Sequence, residues 1–213
     1  MSFFTTYSKK LENLIAVVIF LITFAVYFST MAPTVSFWDT GEFIATSHIL
    51  GVPHPPGSPL FLLVGKFFSL IPISSDIAFR VNIFSPIISA LTISLLFLIC
   101  NQFIDRVKPK DDNKFFKMWS SLTASLTFAF THSHWFNAVE TEVYAFSGFM
   151  TALVIYLIMR WSEKIHNSNH VIYLICISYI IGLATGLHLL NLLTIPFIGL
   201  IIYFSIGKLS TKN

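Results

Sequence analysis

The sequence predicts an all-α polytopic membrane protein, and three observations support this class. Hydrophobic residues make up 55% of the 213 residues and charged residues only 11%, whereas soluble domains carry about 25% charged residues. The mean hydropathy is +0.77. Several uncharged runs reach the roughly 20 apolar residues that a helix needs to cross a bilayer. This composition excludes a disordered chain, a disulfide scaffold and a nucleic-acid module, so no nucleic-acid partner is expected.

Six runs are predicted to be transmembrane helices. The first follows Lys9 and Lys10, ends before Pro33, and is too long for the apolar part of a cleaved signal peptide. The last two are so close together that a hairpin is expected. The six predicted spans are residues 14–31, 79–100, 115–131, 143–159, 171–187 and 191–206.

Two short juxtamembrane helices are predicted in the first outer loop. One starts at Asp39; the other covers residues 60–73, which are too few for a span and are interrupted by Lys66. With the N-terminus in the cytoplasm, only Lys66 and Arg80 of the 13 Lys and Arg residues fall on the outer side. The positive-inside rule favours this topology.

The chain is therefore predicted to be one integral membrane domain, residues 1–213. Residues 1–13 form a cytoplasmic N-terminus, residues 32–78 an outer loop with the juxtamembrane helices, residues 101–114 a cytoplasmic loop, and residues 207–213 a cytoplasmic tail.

Acidic residues accumulate on the predicted outer side. Ionisable groups close to the bilayer are costly and tend to face a cavity or a partner. A candidate site is therefore expected where the outer loops meet. The five outer acids, of 10 in the chain, are Asp39, Glu42, Asp76, Glu140 and Glu142.

The first outer loop supplies two carboxylates and a histidine. Asp39 and Glu42 are three residues apart, which puts them on one helix face. This spacing is equally that of a capping box, with Asp39 as the N-cap. His54 begins a His-Pro-Pro-Gly turn and is either a hydrogen-bonded loop residue or a member of the same site. Both alternatives stay open for each residue.

The other candidate residues lie near the outer ends of later spans. Arg80 is either a snorkelling end residue or a cation for a phosphate group. Trp135, with Glu140 and Glu142, offers an aromatic and acidic wall, although an interfacial aromatic belt explains the ring equally well. His188 either completes the pocket or satisfies a helix break. His132 and His134 have no metal-motif spacing, and no metal site is predicted.

Several of these motifs, in this order, carry a family resemblance. They are Asp39-Thr-Gly-Glu42, His54-Pro-Pro-Gly57, Arg80-Val-Asn82, Trp135, and Glu140-x-Glu142-Val-Tyr144. From about residue 26 to residue 196 the chain resembles a membrane family first described as a domain of unknown function, whose animal member is a protein O-mannosyltransferase. More distantly, it resembles the GT-C superfamily of polyprenyl-phosphate-dependent glycosyltransferases, which includes protein O-mannosyltransferases and aminoarabinose transferases.

The resemblance implies a GT-C-like fold and an inverting glycosyltransferase. A sugar, with mannose favoured, would move from a polyprenyl-phosphate donor to an acceptor hydroxyl on protein or glycan at the outer face. Asp39 and Glu42 would be catalytic. No tightly bound cofactor is expected, and a divalent metal is compatible but not indicated. The residues expected to bind substrate are His54, Arg80, Trp135, Glu140, Glu142 and His188.

Other expectations concern completeness and location. Members of the resembling family continue into further spans and a soluble region. This chain is therefore expected to be a short version, a catalytic half that needs a partner chain to supply the C-terminal spans, or a truncated product, and these alternatives stay open. The alternatives to a glycosyltransferase are a non-catalytic subunit of a glycosylation or export complex, or a transporter. A transporter would place polar sites near the bilayer midplane, which disfavours transport here. Phe, Ile, Lys and Asn usage favours a bacterial inner membrane, with the endoplasmic reticulum expected in a eukaryote.

Overall fold

The structure is a computed structural model that describes residues 2–107 and 114–206. Residues 108–113 of the predicted loop at 101–114, and the predicted tail at 207–213, therefore lie outside the described residues. Residues 101–107 are helical and belong to the end of the long helix Phe84–Val107, so the described part of that predicted loop is a helix. Within the described ranges the chain is helical and contains no strand. The helices are α1 (Ser2–Thr30), α2 (Thr40–Ile49), α3 (Pro59–Leu70), α4 (Ile77–Asn82), α5 (Phe84–Val107), α6 (Lys114–Ala129), α7 (His132–Ala138), α8 (Val143–Glu163), α9 (Val171–Thr185) and α10 (Thr194–Ile206), with a 3₁₀ turn at Leu189–Leu193.

Four helical segments are long and apolar enough to cross a membrane. This confirms the all-α polytopic membrane class. The other two predicted spans are helices of 16 and 15 residues, α6 and α9, or about 24 and 22 Å at 1.5 Å per residue. Both are shorter than the hydrocarbon core, so six spans remains a prediction. The four segments are Lys9–Thr30, Ile77–Val107, Val143–Glu163 and Leu189–Ile206.

Large apolar side chains are exposed along the outside of the bundle. On α1 they include Leu14 and Ile22, and on α10 they include Tyr203 and Phe204. A helix that is apolar on all sides and exposed on one of them is typical of a lipid-facing helix. These faces are where the bilayer would contact the protein.

Helix α5 lies at the centre of the bundle. It packs against α1, α6 and α8, and α8 in turn packs against α9 and α10. Ile93 and Phe97 of α5 are fully buried among side chains of α1, α6 and α7. Burying side chains of this size stabilises the fold by roughly 1.5–3 kcal/mol each.

A chain of phenylalanine rings attaches the juxtamembrane helices to the bundle. Phe43 of α2 lies 5.4 Å from Phe61 of α3, Phe61 lies 6.3 Å from Phe84 of α5, and Phe84 lies 5.0 Å from Phe146 of α8. Edge-to-face pairs at these centroid distances add to the apolar burial. The two helices that carry the candidate site are therefore anchored to the spans by aromatic packing.

Helices α2 and α3 approach each other closely at Gly65. A Cβ built on Gly65 would lie 2.4 Å from Oγ of Ser47. On the opposite side of α3, Leu63, Phe67 and Leu70 are 60% exposed or more. The two short outer helices are thus present, and α3 has the amphipathic character expected of an interfacial helix.

Hydrogen bonds join several loops at one end of the bundle. The Tyr27 hydroxyl donates to the carbonyl of Ala129 (2.8 Å), and the N–H of Ala32 donates to the carbonyl of Val139 (2.8 Å). The amide of Asn82 also donates to the carbonyl of Ala32 (2.9 Å). We call this the outer end, following the predicted topology, and it holds residues 31–58, 131–142 and 186–191.

Candidate active site

The first turn of α2 presents Asp39 and Glu42, but it does not form a capping box. Asp39 occupies the N-cap position with φ −79° and ψ −2°, and its side chain makes no capping hydrogen bond. Glu42, which would have to reach back to Asp39, bonds to His54 instead. The capping-box interpretation is therefore wrong, and both carboxylates are directed to other contacts or to solvent.

Glu42 holds His54 through two hydrogen bonds. The backbone N–H of His54 donates to Oε1 of Glu42 (2.7 Å), and Nδ1 of His54 lies 2.7 Å from Oε2. The side-chain hydrogen bond lowers the pKa of Glu42 and raises the pKa of His54. The negative charges of Asp39 and Glu142 raise the pKa of His54 further. The pair is therefore held as carboxylate and imidazolium across a widened pH range.

Glu140 and Glu142 lie at the base of the site, just before α8. They are 4% and 6% exposed, and Thr141 between them is fully buried. The Ser36 hydroxyl donates to Oε2 of Glu140 (2.6 Å), while Oε1 of Glu140 is buried without a partner among the described residues. A buried carboxylate oxygen without a donor is costly, and such groups often mark functional sites.

Burial changes the acidity of Glu142. Removal from solvent, followed by the charges of Asp39 and Glu140, raises the pKa of Glu142 to about 7. A carboxyl group with this pKa exchanges protons near neutral pH, as general acids and bases do. Three carboxyl groups, those of Asp39, Glu140 and Glu142, and the imidazole of His54 thus influence one another across the loops that precede α2, α3 and α8.

Asp39, Glu42 and His54 could also hold a metal ion. One ligand atom from each lies within 4.8 Å of the others, and all three are exposed. Carboxylate oxygens and imidazole nitrogen suit several divalent cations. Exposed acidic groups often cluster without binding an ion, and the bond between Glu42 and His54 already occupies part of this set.

Two of the predicted substrate-binding residues bond elsewhere. Arg80 donates from Nε to the carbonyl of Ser74 (2.6 Å) and from Nη1 to the carbonyl of Ser69 (3.1 Å). Trp135 donates from Nε1 to Oγ1 of Thr30 (3.2 Å). Among the described residues no contact joins either side chain to the carboxylates. A guanidinium carries five N–H donors, so Arg80 keeps donors for an anion.

His188 lies at the turn between α9 and α10. Its Nδ1 accepts the backbone N–H of Leu190 (3.2 Å), and its ring centroid lies 5.4 Å from that of Tyr144. The ring therefore caps the 3₁₀ turn. Its ring partner Tyr144 is two residues after Glu142 in the chain.

The structure adds three polar residues that the sequence analysis did not predict as site residues, although Asn82 ends the Arg80-Val-Asn82 motif. Ser36 bonds to Glu140, and Thr141 bonds to Asn82, whose amide holds the carbonyls of Ala32 and Thr34. Their positions offered a weak signal, because Ser36 is three residues before Asp39 and Thr141 lies between two acids. Together they fix the loop that leads to Asp39 against the loop that carries Glu140 and Glu142.

Comparison with known proteins assigns the family. Residues 39–211 match the family described as protein O-mannosyl-transferase TMEM260 N-terminal domain. The chain belongs to the TMEM260 N-terminal domain family. The match begins at Asp39 and includes the His54 turn and the loops that carry Glu140, Glu142 and His188, which confirms the family resemblance seen in the motifs.

Two curated relatives have the same family name. Protein O-mannosyl-transferase tmem260 of Dictyostelium discoideum is 28% identical over 202 residues, which cover 89% of this chain and 23% of that protein. Protein O-mannosyl-transferase TMEM260 of Mus musculus is 29% identical over 153 residues, or 70% of this chain and 20% of that protein. The chain thus spans less than a quarter of either relative. No solved structure is significantly similar to it.

Proposed function

We propose that this protein is a membrane glycosyltransferase that moves mannose from a polyprenyl-phosphate donor to a hydroxyl group of a protein acceptor. One observation carries the proposal. At one end of an apolar helix bundle, the structure gathers a cluster of Asp39, Glu42 and His54 that interacts electrostatically with the buried Glu140 and Glu142. The names of the family and of both relatives support mannosyl transfer to protein.

The proposed reaction is a single displacement. The acceptor oxygen attacks the anomeric carbon while the bond from that carbon to the phosphate oxygen breaks, so the configuration inverts. Asp39 takes the hydroxyl proton, and the bond electrons leave with the polyprenyl phosphate. Asp39 suits this role because it is exposed and its carboxylate is not used in capping.

The departing phosphate gains a negative charge and needs positively charged donors. His54 is held as an imidazolium by Glu42, so in this proposal Glu42 acts through His54. Arg80 has remaining donors near the same end. Glu140, Glu142 and His188 would orient the sugar and the acceptor. Trp135 would support the loop that carries Glu140 and Glu142.

The compartment belongs to the same proposal. Both relatives are eukaryotic, which is compatible with the endoplasmic reticulum, and neither supports the bacterial inner membrane favoured by residue usage. In the endoplasmic reticulum the outer end would face the lumen, with the N-terminus in the cytoplasm. Further chain, covalently attached or from a partner, would contribute to acceptor recognition.

The deciding experiment measures sugar transfer in membranes that contain the full chain. A labelled polyprenyl-phosphate mannose is the donor, and transfer to membrane proteins and to water is followed at matched protein levels. We expect Asp39→Asn to lose at least 100-fold and Glu140→Gln to lose activity as well. Asp76→Asn is the matched control, since Asp76 caps α4 through the N–H of Ala78 (2.7 Å) and asparagine caps equally well.

The proposal fails if well-folded wild type transfers nothing, even to water. The assignment of Asp39 as the general base is wrong if Asp39→Asn transfers mannose as fast as wild type. Loss of membrane insertion in Asp39→Asn would show that Asp39 has a structural role instead.

A further inference from the structure

Two aromatic side chains stand in solvent immediately before Asp39. Phe37 is 84% exposed and Trp38 is 83% exposed. Large aromatic rings are normally at least partly buried, and exposed apolar groups beside a polar site commonly mark a binding surface. The proposed reaction does not use either ring.

The fold holds these rings outward. The side chain of Val35 lies over Gly41, where an added Cβ would be 3.3 Å from its Cγ1. The Ser36 hydroxyl lies 3.2 Å from Oγ1 of the buried Thr40, in addition to its bond to Glu140. The segment is therefore fastened to the first turn of α2 and to the base of the site just before Phe37.

The backbone at Trp38 is strained. Its φ is +60°, in the left-handed region that bulky side chains rarely adopt. This conformation turns the chain from the anchored Ser36 into α2 at Asp39. A strained non-glycine residue persists only where its surroundings enforce it, and such residues concentrate at ligand sites.

The neighbours of the two rings indicate the ligand. Asp39 follows Trp38 directly and Glu42 comes three residues later, so an apolar surface and hydrogen-bond acceptors are neighbours in the chain. A pyranose ring has C–H faces that pack on aromatic rings and hydroxyl groups that donate to carboxylates. A lipid chain offers only the first. The exposed stripe of Leu63 and Phe67 on α3, which has no carboxylate beside it, is the surface that fits the bilayer.

We propose that Phe37 and Trp38 form a stacking platform for the pyranose ring of the donor sugar. The platform would hold the anomeric carbon beside Asp39 while the hydroxyl groups of the sugar reach the acidic side chains. This inference rests on the proposed mannosyl transfer and names the residues that bind the transferred group.

A kinetic test uses Trp38→Leu in the full chain. We expect the KM for polyprenyl-phosphate mannose to rise at least tenfold, by a larger factor than kcat falls, and Trp38→Phe to recover most of the affinity. Because Trp38 is almost fully exposed, these changes leave the packing intact. Trp119→Leu is the control, since Trp119 is 52% exposed on α6 and should keep the wild-type KM. An unchanged KM in Trp38→Leu would overturn the platform.

A binding test separates the platform from the reaction. The fluorescence of Trp38, taken as the difference between wild type and Trp38→Leu, is titrated with a short-chain prenyl-phosphate mannose and with the same prenyl phosphate without sugar. We expect only the mannose-bearing probe to change the emission. Equal responses, or quenching by brominated phosphatidylcholine with no response to the sugar, would assign the rings to the bilayer and overturn the proposal.

The two tests fail in distinguishable ways. A sugar-dependent change in emission without any transfer would support the platform and reject the proposed reaction. Normal transfer by Trp38→Leu with an unchanged KM would reject the platform and leave the reaction standing.

Discussion

The two ends of the helix bundle both hold charged side chains but pair them differently. At the cytoplasmic end of the predicted topology, Lys117 lies 2.7 Å from Glu12 and 2.9 Å from Asp105, and Arg160 lies 2.7 Å from Glu163. Each of these acids has a basic partner at hydrogen-bond distance.

The outer end lacks this balance. Among the described residues there, His54 is the one cationic side chain bonded to the acids of the site, and it bonds only to Glu42. Asp39, Glu140 and Glu142 share no basic partner, and Arg80 bonds to backbone carbonyls. Paired charges serve stability, whereas unbalanced charges kept at a site raise pKa values and bind ligands. In the proposed function, this difference separates the end that stabilises the bundle from the end where the reaction takes place.

The largest expected effect is the change in folding stability with pH that arises from Glu142. Its pKa of about 7 lies above the ordinary value of 4.5, so the folded state holds the proton more tightly than the unfolded state. This stabilisation is complete below about pH 4.5 and is lost as the pH rises through 7. We expect Glu142 to account for a loss of roughly 2–3 kcal/mol of stability between pH 5 and pH 8 in detergent, measured as the difference between wild type and Glu142→Gln, because the lowered pKa of the buried His134 changes the total stability in the opposite direction. Asp76→Asn should keep the wild-type pH dependence; a stability difference between wild type and Glu142→Gln that does not change with pH would contradict the prediction.

The next largest effect is on the rate of mannose transfer when His54 is replaced. His54→Ala removes the cation from the acidic site, and we expect transfer to fall roughly 30- to 100-fold, or about 2–2.7 kcal/mol. Thermal stability should change little, because the His54 side chain is 47% exposed. Because Glu42 raises the pKa of His54, wild-type transfer should decline, as the imidazolium is lost, at a higher pH than that at which a free imidazole loses its proton. His132→Ala is the matched control, and an equal loss in both variants would refute a specific role for His54.

A substitution at the cytoplasmic end should lower the stability of the fold rather than the rate of transfer. Lys117→Met leaves Glu12 and Asp105 without their shared partner, and since Lys117 is only 15% exposed we expect a loss of about 2 kcal/mol. Transfer per folded molecule should not change. Lys9→Met, at an exposed position of the same end, serves as the control in thermal unfolding. A loss of transfer at full stability would erase the contrast between the two ends.

The smallest effect tests the base of the site. Ser36→Ala removes the donor to Glu140, whose other oxygen already lacks a partner, and we expect a loss of about 1 kcal/mol. In a Glu140→Gln background the same change should cost less, which a double-mutant cycle would detect. Ser29→Ala, which removes only a local bond to the carbonyl of Val26, is the control. Additive losses would show that Ser36 and Glu140 are not coupled.

Local sequence patterns were sufficient for the membrane class and for part of the site. Charge-free runs predicted the long helices, and Lys66 within a short apolar run predicted an interfacial helix at α3. The spacing of Asp39 and Glu42 placed both on one turn, but it could not distinguish a capping box from a bond to His54. That choice depends on where the His-Pro-Pro-Gly turn folds, twelve residues away.

The remaining differences also arise from tertiary contacts. Trp135 lies in α7, a helix not predicted from the sequence, and its ring packs on Tyr27 and Phe130. Arg80 bonds to carbonyls that become available only when the chain between α3 and α4 turns back over it. The short α9 ends at Gly186, which approaches Leu60 and Pro59. None of these contacts has a periodicity that a sequence could display.

Because of the contact at Gly65, the two sides of α3 should tolerate substitution during evolution to different extents. Leu63 and Phe67 can exchange with other apolar residues as lipid composition varies between organisms, because both side chains are largely exposed. Position 65 accepts no side chain unless α2 moves away, and α2 carries the acids of the site at its first turn. A relative with a larger residue there must therefore also have changed Ser47 or the spacing of the two helices, and the pair of positions should vary together.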